Sequence, residues 1–354
     1  MNIELAEKIA NAVLYEGYML YPYRPSSVKN RQRWTFGGIY PPAHAGFHGG
    51  SDRCFIQTEC LVVGGSGLEI RVRFLHLLDR LVGKVDTLAF PGSDDDDLPL
   101  TIVESLQVRD RSYRPWQEAV ERDLNAPPLC PGEAGSYRRE FSFPAQRALE
   151  RIYNDDREVV GAIVREQQPL LGAIEIDIEP IAVELSKVTL RILNLTPFKD
   201  APTRSRDDAL LQSLVSAHAI LSVREGEFIS LLDPPATYRG LASNCRNEGV
   251  YPVFVGEEGQ RDMMLASPII LYDHPQIAPE SPGDLFDGTE IDEILTLRIL
   301  TMTDEEKREA RQSDEKARAL LDRTESLPWK ELTKLHGMMR QIRSSDAGLG
   351  GDAR

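Results

Sequence analysis

Two histidines and two cysteines lie close together near the start of the chain, within the segment HAGFHGGSDRCFIQTEC. They are His44, His48, Cys54 and Cys60, and neutral imidazoles and thiolates are suitable ligands for zinc or nickel. Their spacing does not match a standard zinc motif. If both cysteines lie on one strand, their α-carbons are about 20 Å apart, too far to bind one ion. We therefore favour a core Cys60, an incidental Cys54 and loop histidines, with a zinc or nickel site as the alternative.

An aromatic and basic segment, residues 16–41, lies just before this region. Its composition is unusual for an acidic chain. It reads EGYMLYPYRPSSVKNRQRWTFGGIYP. Flat amphipathic rings and guanidinium groups are typical of binding surfaces. The candidate partner-binding residues in it are Tyr21, Tyr23, Arg24, Arg31, Arg33 and Trp34. Residues 31–36 would also suit stacking on single-stranded nucleic acid, but over that alternative we favour an amphipathic strand whose arginines pair with acidic residues elsewhere in the chain.

A second candidate contact lies in the segment PESPGDLFDGTE, where prolines and glycines restrict the backbone on either side of Leu285 and Phe286. A rigid loop that presents two apolar side chains between acids is a plausible docking element. The same two side chains would equally well fix the loop to the protein's own core. Both interpretations remain open at the level of the sequence.

Four stretches of the chain resemble a known group of sequences. They read LYEGYMLYPYRPSSVKNRQRWTFGGIYP from Leu14, IQTECLV from Ile56, LNLTPF from Leu193 and SPIILYDHPQIAPESPGDLFDGTEIDEILTLRILTMTDEEK from Ser267. On these motifs the chain resembles a bacterial protein family encoded in gene clusters for [NiFe]-hydrogenases and their accessory proteins. The resemblance spans most of the chain. It implies a process, hydrogenase assembly, and it implies no catalytic residue.

The composition limits the classes of function. The chain has 354 residues, of which 41% are hydrophobic, enough for a sizeable core. A formal net charge of -15 and a pI near 5.0 argue against general nucleic-acid binding. We find no secretory signal, no apolar stretch long enough to cross a membrane and no cysteine framework typical of secreted domains. These observations predict a cytoplasmic protein that does not insert into membranes.

Periodicity predicts the elements that must position these residues. Asn2 is placed to cap a short amphipathic helix. Strand patterns follow, with a hairpin turn at Gly64–Gly67 between two of them. The segment WQEAVERD from Trp116 resembles a short helix. Further strands are predicted at 173–178 and 188–195, and a hairpin at Glu225–Gly226.

The C-terminal part has helical signals. Thr303 and Glu306 form a capping box before a highly charged helix, and a last amphipathic helix follows Pro328. We therefore predict an α+β fold, with antiparallel β-sheets in both halves and helices at the N- and C-terminal ends. The predicted sections are 1–130 and 131–302, both β-rich, then charged helices at 303–343 and a disordered tail at 344–354.

Three hypotheses of function follow. The favoured one is a non-enzymatic accessory or assembly protein that binds another protein, where the resemblance implies a [NiFe]-hydrogenase subunit or maturation factor. The second is a metal-dependent enzyme or metallochaperone that uses zinc or nickel at the His44, His48 and Cys60 region. The third is a structural subunit of a larger complex. No nucleophile elbow or phosphate-binding motif supports other chemistry.

Overall fold

The structure of the chain, a computed structural model, describes residues 3–15, 36–48, 52–85, 98–109 and 111–275, and five single residues between 304 and 322. Within this part the helices are α1 (Ile3–Tyr15), α2 (Pro42–His48), α3 (Arg206–Leu210) and α4 (Arg239–Ala242). The strands are β1 (Phe55–Val85), β2 (Leu100–Ile102), β3 (Leu106–Val108), β4 (Arg111–Tyr113), β5 (Trp116–Asn125), β6 (Gly135–Phe143), β7 (Gln146–Tyr153), β8 (Val159–Gln167), β9 (Leu170–Ala182), β10 (Leu185–Asn194), β11 (Val215–Ile229), β12 (Tyr251–Phe254) and β13 (Met263–Ser267).

The long strand β1 organises the sheet because different strands pair with successive parts of it. β10 pairs with residues 55–63, β11 with 61–75, β5 with 71–80 and β8 with 79–84, all antiparallel. Beyond these, β13 and β12 extend the sheet from β11, while β9 and β6 extend it from β10. Strands that are distant in sequence therefore meet along β1.

Facing glycines bend β1 and β11 where the sequence predicts hairpin turns. Gly64 and Gly65 have φ values of 66° and 103°, and Glu225 has 53°, yet both strands continue and their register shifts at a β-bulge. A Cβ atom on Gly226 would lie 2.8 Å from the backbone of Gly65, so glycine is needed for this close approach. The two predicted hairpins were wrong. Glycines, which allow the positive φ values of a turn, also occur at β-bulges.

This bulge determines which side chains of β11 face the core. Val223 and Phe228 are separated by an odd number of positions and would face opposite sides of a regular strand. Both are fully buried in the same apolar cluster. The bulge reverses the alternation between them, and it therefore lets one strand contribute to a single core on both sides of the bend.

Both faces of the sheet around β1 and β11 are covered. On one face, Phe74 and Phe228 belong to the main apolar cluster, which includes side chains from β9 and β10. On the other face, α1 lies where the sequence predicts a helix and packs Ile9 and Val13 against Leu265 of β13. The apolar stripe of α1 is thus buried by the strands at one end of the sheet.

The predicted α+β fold was wrong, because the protein is mostly β and eleven strands form one large antiparallel sheet. Strands from both predicted β sections lie in this sheet. The predicted helix at Trp116 is strand β5, in which Glu121 and Asp123 pair with Arg73 of β1. These cross-strand contacts outweigh the weak helical preference of the segment. The predicted helices after Thr303 fall mainly outside the described residues.

In the part of the chain that the structure describes, no helix has the length and apolar character needed to cross a membrane.

Candidate functional site

A groove of about 540 Å³ opens where three backbone stretches meet. The stretches lie within residues 36–40, 249–251 and 267–271, and the remaining lining residues are Asp52, Arg53, Arg206 and Leu232. Ligand-binding sites typically have volumes of roughly 300–1,000 Å³ and a mainly apolar lining with a few polar groups. The groove has both properties.

Strands β11 and β13 position its walls. The carbonyl groups of Phe36 and Gly37 accept hydrogen bonds from the backbone N–H groups of Ser216 and Ala217, at 3.0 and 3.2 Å. Gly37 has a φ of 56°, and a Cβ atom there would lie 2.7 Å from Pro268, directly after β13. Glycine therefore allows the first wall to contact the third.

An ion pair between the largely buried Asp52 and the exposed Arg206 closes one end of the groove. Arg206 donates hydrogen bonds from Nε and Nη2 to the two carboxylate oxygens of Asp52, both at 3.1 Å, and His44 Nε2 lies 3.1 Å from Oδ2. Burial raises the pKa of Asp52, but the bonds with Arg206 and His44 outweigh this effect and lower it below its ordinary value. Asp52 is therefore a stable anion whose charge the chain itself neutralises.

The same arrangement does not suit acid–base catalysis. A general base must reach the proton that it takes from a substrate. The His44 side chain is 1% exposed, stacks on Tyr40 with ring centroids 5.1 Å apart and meets Phe198 edge-on. Its imidazole is enclosed by protein, so we interpret the His44–Asp52 pair as a structural tie between α2 and the groove.

Arg53 differs from Arg206. Its carbonyl accepts a hydrogen bond from the Tyr40 N–H at 2.8 Å, which fixes its backbone. Its half-buried side chain lines the groove, and no acidic residue in the described ranges forms an ion pair with it. The groove therefore contains one guanidinium that Asp52 neutralises and one that no carboxylate of the described residues neutralises.

Apolar side chains surround the opening. Ile270 is 94% exposed, Leu232 46% and Phe36 44%, and all three line the groove. Tyr272, two positions beyond Ile270, is 83% exposed. Large apolar side chains that are exposed together in this way are typical of sites that bind another molecule.

The structure separates the residues of the predicted metal site. His44 is engaged with Asp52, and Cys60 is fully buried within β1, where burial raises the pKa of its thiol. Cys54 precedes β1, and its carbonyl accepts a hydrogen bond from the Asn194 N–H. His48 ends α2, and its side chain is outside the described set. Among the described residues, no three His, Cys, Asp or Glu side chains are grouped as metal ligands.

All the predicted partner-binding residues lie outside the described ranges, so their prediction stands as made. They are Tyr21, Tyr23, Arg24, Arg31, Arg33, Trp34, Leu285 and Phe286.

Sequence reasoning did not identify the groove. A partial signal was present in the motif Ser205-x-x-Asp208, a capping box that starts α3 and so places Arg206. No comparable signal connects Arg53 with Tyr251 and Ile270, because their proximity depends on the order of β11, β13 and β12 in the sheet.

Comparison with known proteins gives no match to any protein-family model, curated protein or solved structure.

Proposed function

We propose that this protein is a non-enzymatic accessory or assembly protein that holds a segment of a partner protein in the groove beside Arg53. The observation that supports this proposal is the group of exposed apolar side chains, Phe36, Leu232 and Ile270, that line a cavity of about 540 Å³. Burial of such side chains is the main favourable contribution to most protein association, at about 25 cal/mol per Å². Ile270 and Tyr272 have the most area to bury.

The character of the site favours binding over chemistry. The His44 imidazole is enclosed, and both carboxylate oxygens of Asp52 accept hydrogen bonds from Arg206. What the groove offers to another molecule is apolar surface and the guanidinium of Arg53, which no described carboxylate neutralises. The resemblance to the hydrogenase-associated family makes a [NiFe]-hydrogenase subunit or maturation factor the first partner to test.

Affinity purification of the full chain from the organism that encodes it tests this proposal. We expect the wild type to retain a hydrogenase subunit or maturation factor, identified by mass spectrometry, and Ile270→Asp with Tyr272→Ser to lose it. Val183→Asp is the matched control, because Val183 is also 94% exposed but lies in the turn between β9 and β10. All three proteins should have the same circular dichroism spectrum.

Two results would contradict the proposal. One is partner capture that the groove substitutions leave unchanged. The other is stoichiometric zinc or nickel in the purified protein, measured by elemental analysis, that is lost in His44→Ala and His48→Ala variants. The second result would favour the metal-binding alternative.

A further inference from the structure

We propose that Arg53 makes the groove selective for an apolar partner segment that carries one acidic side chain, aspartate or glutamate. This inference rests on the proposed function, since it names the chemistry of the segment that the groove holds. It depends on the position of Arg53, on the absence of a carboxylate partner for it in the described chain, and on the apolar character of the surrounding walls.

The position of the guanidinium follows from Gly249. The Arg53 side chain passes over this residue, where a Cβ atom would lie 2.9 Å from Arg53 Cδ and 3.0 Å from Nη1. Gly249 has a φ of 77°, a conformation that glycine adopts without strain. Because Gly249 has no side chain, the Arg53 side chain has room against the groove wall. The hydrogen bond from the Tyr40 N–H to the Arg53 carbonyl fixes the Arg53 backbone.

The charge of Arg53 is available to a ligand. Its sequence neighbour Asp52 is the nearest acid along the chain, but both oxygens of that carboxylate accept hydrogen bonds from Arg206. No ion pair or side-chain hydrogen bond connects Arg53 with any other residue in the described ranges. A half-buried guanidinium next to apolar walls gains more from a carboxylate than one in water does, because screening is weaker there.

Because the protein has a negative net charge, the positive charge of Arg53 is important for binding an acidic segment. At a formal charge of -15 the protein repels acidic partners in general. An acidic segment therefore needs a local positive group in order to bind. The planar guanidinium of Arg53 suits the two oxygens of a carboxylate, which it can contact through two parallel hydrogen bonds.

The walls indicate a side-chain carboxylate within the segment. Val250, Tyr251, Ile269 and Leu271 line the groove with Arg53, so the ligand residues beside the acid are expected to be apolar. A free C-terminal carboxylate is usually captured by backbone N–H groups. In this groove the N–H groups of Tyr40 and Ile269 already donate within the chain, to the Arg53 carbonyl and to Ser267 Oγ.

Selection from a displayed library of random 12-residue peptides tests the inference, with the purified full chain as bait. For the wild type we expect peptides with one aspartate or glutamate among apolar residues. Arg53→Gln should still select apolar peptides but without the acid, and Arg53→Glu should select lysine or arginine in its place. Arg111→Gln is the control, because Arg111 is an exposed arginine on β4, away from the groove lining.

One selected peptide then gives a quantitative test by fluorescence polarisation. Replacing its glutamate by glutamine should weaken binding to the wild type about tenfold, which corresponds to about 1.4 kcal/mol. The same replacement should not change binding to Arg53→Gln, so that a double-mutant cycle assigns the loss to this pair. Amidation of the peptide's C-terminus should have no effect on the wild type.

The outcomes separate the inference from the proposed function. Apolar peptides without an acidic preference, an acidic preference that persists in Arg53→Gln, or binding that C-terminal amidation abolishes would overturn the role of Arg53 and leave the groove as a docking site. Failure to select any peptide, or selection that Ile270→Asp does not change, would overturn the docking site itself.

Discussion

Arginines occupy two different settings in this molecule, the strands around β1 and the groove. On the strands, Arg71 bonds to Asp123 and Glu7, and Arg165 bonds to Glu118 and Glu150. In the groove, Arg53 has no carboxylate partner within the described chain. Paired charges on neighbouring strands connect the elements of the fold, while the unpaired charge lies where a ligand can reach it. Among the described residues, the difference separates arginines that connect strands from Arg53, which lies in the groove and forms no ion pair.

The strand region also contains ionisable side chains that the fold buries completely. The strands enclose two histidines completely, His76 of β1 and His218 of β11. Burial, with Arg122 as the next cause, lowers the pKa of His76 to about 4. Burial also lowers the pKa of His218 to about 4, although the Ser216 carbonyl, 2.8 Å from Nδ1, acts in the opposite direction.

The largest expected effect is a loss of stability in acid that depends on these two residues. An unfolded histidine binds a proton below about pH 6.5, whereas the folded ones remain neutral until about pH 4. The unfolded state therefore binds more protons in this range, and the free energy of unfolding falls as the pH is lowered through it. At pH 4.5 each histidine should contribute a loss of about 2.5 kcal/mol relative to pH 7.

Urea unfolding at pH 7 and pH 4.5 measures this loss. In His76→Gln with His218→Gln, the difference between the two pH values should be about 5 kcal/mol smaller than in the wild type. Each single variant should show about half of that reduction, which provides a second test if the double variant is too unstable. Equal pH dependence in wild type and variants would show that the histidines do not cause the acid sensitivity.

The next largest expected effect is a loss of stability on replacing Arg71, the paired cation that connects α1 to the sheet. Arg71 donates to Asp123 at 2.9 Å and to Glu7 of α1 at 2.6 Å. Its side chain is 35% exposed, so solvent screening reduces the contribution of these bonds. We expect Arg71→Gln to lower the free energy of unfolding by about 1–2 kcal/mol and to speed hydrogen exchange in α1.

Arg224→Gln is the control for this substitution. The Arg224 side chain is 65% exposed and pairs with Glu69 at the surface. Its loss should change the free energy of unfolding by less than about 0.5 kcal/mol. Equal effects of the two substitutions would mean that Arg71 is no more structural than a surface arginine, and the contrast with the groove would lose its basis.

The sequence could predict the apolar elements and little of the groove. The stripe of α1 and the alternation in β9 and β10 are local patterns, and the structure contains those elements. The bulge at Gly64 and Gly226 requires knowledge of which strands face each other, and so does the pairing that makes Trp116–Asn125 a strand. Arg53 and Tyr251 are far apart in the chain, and only the completed sheet brings them to one groove.

The smallest expected effect concerns Asp79, an acidic residue of the sheet. Like Arg53, it forms no ion pair with the described residues. Asp79 of β1 lies directly opposite Glu166 of β8. Burial, followed by the charges of Glu166, Asp208 and Asp207, raises its pKa. The ionised carboxylate is therefore less favourable in the folded protein than in the unfolded chain, and this cost is present at neutral pH and disappears in acid.

Asp79→Asn keeps the size of the side chain and removes the charge, so we expect it to raise the free energy of unfolding at pH 7. The gain should be about 0.5–1 kcal/mol, as for other directly opposed like charges, and it should shrink as the pH approaches 4. Asp123→Asn, which removes one of the two acidic partners of Arg71, should lower stability in the same urea measurements. If Asp79→Asn also lowers it, Asp79 has a structural partner. The absence of an opposite charge would then not be sufficient to distinguish a binding residue such as Arg53 from a structural one.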